Sequence, residues 1–193
     1  MGELLLIAIG AALVNNFVLV RFLGLCPALG ASNRLDNALG LSLATTVVLT
    51  LSSGLTWLVD TLVLIPNELA HLRILSFILI IAGTVQGTEL LIRHSSSILH
   101  QRLGIYLPLI TSNCAVLGVA LLNAGRMGSL LEALVFGLAA GLGFCLVMVS
   151  FAGLRERLAT ADVPLHFRGV PIALVSAGLM SLAFLGFAGL SHS

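Results

Sequence analysis

Two cysteine pentapeptides carry the chemistry open to this chain: Cys26-Pro27-Ala28-Leu29-Gly30 and Cys114-Ala115-Val116-Leu117-Gly118. They share the pattern Cys-x-x-Leu-Gly and lie 88 residues apart (114 − 26) in a chain of 193. A thiolate is the natural ligand of soft metals and of iron–sulfur clusters, and a cluster normally takes four cysteines. Two thiols are then half a site, and ligation requires two more from another chain. The competing reading is that both are buried cysteines packing as small apolar side chains. Their repetition and their polar, helix-breaking surroundings favour ligation. Cys145, in Gly143-Phe144-Cys145-Leu146, has no repeat partner and no such surroundings, and is expected to pack. An odd number of cysteines gives no reason for a disulfide framework.

The surroundings are specific. The run that ends at Gly30 contains Asn15, Asn16, Arg21, Gly24 and Pro27, each poor in a lipid-facing helix, and a bend or break is expected there. Before Cys114 stand Pro108, suited to a helix opening, and the polar tripeptide Thr111-Ser112-Asn113, able to satisfy freed backbone groups. Arg21, five residues before Cys26, is expensive in lipid. It either offsets the negative charge of a cysteine-ligated centre, tuning it electrostatically, or snorkels to the headgroups.

Other polar residues point elsewhere. Glu89 precedes Arg93 by one helical turn and suits an intrahelical pair, with a cation pathway as the alternative. Asp60, Glu68 and Arg73 are expected to be solvated around an outer loop. The five histidines do not cluster, which disfavours a histidine metal site. No phosphate loop, nucleophile elbow or dinucleotide fingerprint appears, so no catalytic residue, NAD site or flavin site is expected within this chain.

The elements that must position the cysteines are membrane helices. Hydrophobic residues make up 59% and charged residues 9%, with a mean hydropathy of +1.14. No soluble domain of this size carries that balance without large exposed apolar patches, so the lipid bilayer is the solvent. Nucleic acid is not an expected partner. At about 20 residues per span the chain holds roughly six helices in one membrane domain, 1–193. These lie near Leu4–Gly30, Leu39–Val59, Ile74–Ile92, Leu103–Leu122, Leu130–Leu154 and Val170–Leu190. Three spans per half make residues 1–97 and 98–193 an inverted repeat, with interrupted helices, the first and the fourth, carrying the chemistry. All nine basic side chains are Arg, and seven fall in or near the first, third and fifth connections against two opposite, which places both termini outside. Met1-Gly2-Glu3 lacks a basic signal-peptide region. Gly137-x-x-x-Gly141 predicts close helix packing. Arg155-Glu156-Arg157-Leu158 through Phe167-Arg168 is expected to be the longest polar connection, either docking a carrier or a peripheral subunit or simply solvated.

The segments Asn15 to Pro27, Pro108 to Gly118 and Arg155-Glu156-Arg157-Leu158 resemble the RnfA/NqrD family, membrane subunits of bacterial Rnf electron-transport complexes and, as NqrD and NqrE, of the sodium-pumping NADH:quinone reductase. The similarity runs the whole length, including Leu43-Ala44-Thr45-Thr46 and Ala177-Gly178-Leu179-Met180-Ser181-Leu182. It implies an all-helical protein of six spans in two inverted repeats, in the bacterial inner membrane. It also implies pairing with RnfE, a homologous subunit of opposite orientation, within a complex that includes RnfB, RnfC, RnfD and RnfG. Cys26 and Cys114, with two cysteines of RnfE, would hold an iron centre, a [2Fe–2S] cluster or another cysteine-ligated form. Electron flow between ferredoxin and NAD would be coupled to Na⁺ or H⁺ movement, with this chain a non-autonomous part of the translocase. The reading from another class is a small secondary transporter of inverted-repeat type, whose broken helices bind a solute.

Overall fold

The computed structural model describes residues 10–14, 16–31, 35–67, 70–95, 107–124, 128–162 and 164–189. Among these the chain is helical and contains no strand, as a backbone in lipid requires when no barrel closes. A π-helical turn, Gly10–Val14, precedes α1 (Phe17–Val20), α2 (Leu25–Ala31) and α3 (Leu35–Val59), which runs into a second π turn, Asp60–Leu64. A short 3-10 turn, Ala70–Leu72, opens α4 (Arg73–Ser95). Then come α5 (Leu107–Thr111), α6 (Cys114–Ala124), α7 (Leu130–Thr160), a 3-10 turn Leu165–Phe167, and α8 (Val170–Gly189).

Leu35–Leu64, Arg73–Leu90 and Leu130–Thr160 are long and apolar enough to cross a membrane, and Leu109–Ala124 and Val170–Gly186 are shorter apolar helices. Their outer faces are rich in exposed leucine, among them Leu43, Leu79 and Leu182.

The core is built on α3 against α7, the most extensive helix contact. Small residues make it close: a Cβ on Gly137 would lie 2.6 Å from Ser53 Oγ, and one on Gly141 would lie 2.9 Å from the Thr46 Cα. The Gly137-x-x-x-Gly141 face packs as the sequence predicts. Hydroxyls on α3 turn back onto their own helix: Thr45 Oγ1 donates to Leu41 O (2.7 Å), Thr46 to Ser42 O (2.8 Å) and Thr50 to Thr46 O (2.8 Å). Each is thereby satisfied without water. α7 opens on an N-cap, Ser129, whose side chain accepts from the Glu132 N–H.

Three expectations change. The segment Arg155–Thr160 is the end of α7 and not a loop, because Arg155 finds a backbone partner in the first broken segment: its Nη1 donates to Leu29 O (2.8 Å). Asp60 is not solvated; it is 3% exposed and its Oδ1 accepts from Arg73 Nε at 2.8 Å. The second span is longer than Leu39–Val59, running from Leu35 to Leu64. Asn15, Glu68, and the starts of the expected spans at Leu4 and Leu103 lie outside the described residues, as does the Arg93 side chain.

Candidate functional site

The first break is organised by Asn16, fully buried between the Gly10–Val14 turn and α1. Its Oδ1 accepts the Val18 N–H (3.1 Å), capping α1, while its Nδ2 donates to Ala12 O and to Gly143 O, both at 3.0 Å. One side chain therefore satisfies backbone within the π-helical turn and at the start of α1, and ties the segment to α7. Phe17 adds a stacked contact with Phe144, centroids 6.4 Å apart.

α1 lasts one turn. The N–H groups of Arg21 and Leu23 both return to Phe17 O (3.2 and 3.3 Å), and the chain swings out through Phe22 (φ 55°) and Gly24 (φ 85°). Leu19 O, whose helical donor would have been Leu23, accepts instead from Ser181 Oγ of α8 at 2.7 Å. Gly24 is required twice over. Its φ is left-handed, and a Cβ would stand 3.1 Å from Phe144 Cε2 and 3.2 Å from Ala115 Cβ. α2 then starts at Leu25, with buried Pro27 in its first turn, where the missing N–H leaves no gap in the hydrogen bonding.

The second break repeats the device. α5 ends at Thr111, with Pro108 in its first turn, and Asn113 caps α6. Asn113 Oδ1 accepts the Ala115 N–H (3.0 Å), and its carbonyl accepts the Val116 N–H (3.1 Å). Asn16 and Asn113 thus both bind the N–H two residues on, as short amide side chains do at helix starts.

The two breaks meet. The Gly24 N–H donates to Cys114 Sγ at 3.2 Å. The Leu23 side chain fills the space beside Gly118, where a Cβ would collide with it, and Leu109 lies beside Gly30. Cys26 follows Gly24 by two residues, so its Cα is within about 8 Å of the Gly24 Cα. Cys26 and Cys114 are both exposed, whereas Cys145 is half-buried and accepts from Ser42 Oγ at 3.2 Å. Neither repeated cysteine is buried, and the third is partly so.

The donor set suits an anionic sulfur ligand. Cys114 is the first residue of α6, where helix N–H groups lack intrahelical partners. Asn113 is 4% exposed and its Nδ2 has no hydrogen-bond partner, leaving a buried donor on the residue next to the sulfur. Among the described residues no three His, Cys, Asp or Glu side chains come together. Arg21 is exposed; its backbone closes α1, and its side chain makes no hydrogen bond or ion pair with another described residue.

Three supports escape sequence reasoning: Gly143, Ser181 and Arg155. The first two act through groups that no motif marks, a carbonyl and a hydroxyl inside apolar runs. Arg155 carried a signal, a cation at the end of a long apolar run, and it satisfies the Leu29 carbonyl near the C-terminal end of α2.

Comparison with known proteins places this architecture. Residues 4–191 match the model of the Rnf-Nqr family, whose members are described as membrane proteins of the Rnf-Nqr type. The chain is 57% identical to the A-type component of an ion-translocating oxidoreductase complex from Azoarcus sp., covering 100% of both chains. It is 58% identical to the corresponding component from Shewanella amazonensis, over 98% of this chain and 99% of that one. It is 59% identical to that of Edwardsiella ictaluri, over 98% of each. With whole-length similarity and a family match over nearly every residue, the chain belongs to the Rnf-Nqr family of membrane subunits.

Proposed function

We propose that this chain is the A-type membrane component of an ion-translocating oxidoreductase complex linked to ferredoxin and NAD, and that it carries electrons across the bilayer through an iron centre ligated by Cys26, Cys114 and two cysteines of a homologous RnfE-type subunit. Six spans in two inverted repeats, in a bacterial inner membrane with both termini periplasmic, accompany that role. The names of the relatives and the asymmetry of the nine arginines support it. The observation that carries the ligand assignment is the pair of exposed thiols at two abutting helix breaks, bridged by the Gly24 N–H on Cys114 Sγ.

When bound, a cysteine-ligated iron centre supplies one-electron chemistry at a potential set by cluster charge, hydrogen bonds to sulfur and burial. The residues of this chain have their own tasks. Asn16 and Asn113 hold the broken backbone so that each thiol faces outward. The Gly24 N–H, with the spare Asn113 Nδ2 donor, offers hydrogen bonds to ligand sulfur, and Arg21 adds positive charge five residues from Cys26. Exposed Phe22, Thr111 and Ser112 flank the thiols and form the face that meets the partner.

The test is iron analysis with electron paramagnetic resonance on this chain co-purified anaerobically with its homologous partner. Wild type should contain iron and give a reducible signal, and Cys26→Ser and Cys114→Ser should each abolish it. A wild-type pair without iron, or a Cys114→Ser pair with a full signal, defeats the assignment.

A further inference from the structure

A second site lies at the far end of α7. The end of α7 and the start of α8 enclose a cleft of about 290 Å³, whose walls include Arg155, Leu158, Ala161, Arg168, Gly169 and Ile172. Two guanidinium groups line it, and among the described residues of its wall there is no carboxylate; Glu156 and Asp162 belong to the same stretch of chain but not to the wall.

Its depth in the membrane follows from helix length. The 31 residues of α7 extend about 46 Å at 1.5 Å each. That exceeds the ~30 Å hydrocarbon core and matches the ~40–45 Å that includes the headgroup layers. A cleft on the last turns of α7 therefore stands at headgroup level. Leu158 and Ile172 give the cleft an apolar wall beside the two guanidinium groups.

We propose that this cleft binds the phosphodiester headgroup of an anionic phospholipid, with the phosphate between Arg155 and Arg168 and the acyl chains leaving past Leu158 and Ile172. Planar guanidinium forks match phosphate oxygens in pairs. Basic pockets between membrane helices recognise such headgroups. The volume lies just below the ~300–1,000 Å³ of ordinary small-molecule sites, which suits a headgroup and is too small for a dinucleotide. Arg155, already held on Leu29 O, links the lipid to the segment that carries Cys26. The proposal does not depend on what the cysteines bind.

The experiment uses the detergent-purified complex containing the full chain. Native mass spectrometry counts retained short-chain phosphatidylglycerol against phosphatidylcholine. Wild type should retain the anionic lipid at least about fivefold better, and Arg168→Gln should lose about that factor. Arg168→Lys should keep part of it. Arg157→Gln, which alters an exposed charge outside the cleft, should retain lipid as wild type does. Equal retention of the two lipids, or equal loss from Arg157→Gln and Arg168→Gln, overturns the proposal. So does displacement of the lipid by millimolar inorganic phosphate, which would mark a site for free anions.

Discussion

Replacing Asn16 with alanine tests whether a single amide holds the first break together. Three hydrogen bonds disappear: the cap on Val18 N–H and the donations to Ala12 O and Gly143 O. Membrane double-mutant cycles give about 0.6 kcal/mol per interhelical bond, which applies to the bond to Gly143 O. Removing an N-cap alone costs about 1 kcal/mol. Each buried group left without a partner adds about 1–3 kcal/mol. Of the three partners, Val18 N–H and Gly143 O depend most on Asn16, being in the buried bonds, while the Ala12 bond is partly buried. The expected loss is about 2–4 kcal/mol, nearer the upper value if Gly143 O finds no other donor. The assay is unfolding in mixed micelles by SDS titration, followed by far-UV circular dichroism. Asn16→Asp discriminates further: it keeps the cap acceptor but turns carboxylate oxygen toward two carbonyl oxygens, so it should be at least as damaging as alanine. Asn67→Ala removes an exposed bond to Val63 O and should change stability by less than about 0.5 kcal/mol. If Asn16→Ala falls in that same range, or Asn16→Asp matches wild type, the account of the break is wrong.

The Asp60–Arg73 pair predicts an asymmetry in the same unfolding assay. Arg73→Gln strands a carboxylate that is 3% exposed and should cost about 3–5 kcal/mol, whereas Asp60→Asn leaves a partly exposed arginine that water can reach and should cost less. Gly141→Ala forces a Cβ to 2.9 Å from the Thr46 Cα, backbone that cannot swing aside, and should cost about 1–3 kcal/mol; Gly178→Ala meets nothing within 4 Å and should be neutral or stabilising. Maleimide should modify Cys26 and Cys114 of the isolated chain faster than Cys145, and association with the homologous partner should protect the first two alone. Equal rates at all three thiols would contradict the exposures from which the partner-facing surface is drawn.

Much of the site was legible because it breaks rules. Asn, Gly and Pro inside apolar runs contradict what a lipid-facing helix needs, and each of Asn16, Gly24, Pro27 and Asn113 stands at a helix start or exit. The repeated cysteines were visible for the same reason, and Gly137 and Gly141 through their spacing. What stayed hidden was the far end of each contact. Ser181 is an ordinary serine in sequence until the exit of α1 frees Leu19 O, and Gly143 matters for a carbonyl that every residue has. The end of α7 was misplaced because three charges in four residues look like solvent. Helical spacing instead sends Arg155 toward α2 while Arg157 remains exposed. Asp60 was misjudged because its cation comes thirteen residues later, across a turn.

One helix grips the first broken segment at both ends: Gly143 O holds Asn16, and Arg155 holds Leu29 O, twelve residues farther along α7. The two anchor points are therefore separated by about 18 Å of continuous helix, a length that the interrupted piece cannot choose for itself. α7 works as a splint. Deleting one residue between the anchors would shorten it by about 1.5 Å and turn one end by about 100° against the other, so both grips could not hold together. Deletions beyond Thr160 carry no such penalty. The register of α7, and not the local preference of the broken piece, fixes where the first thiol stands.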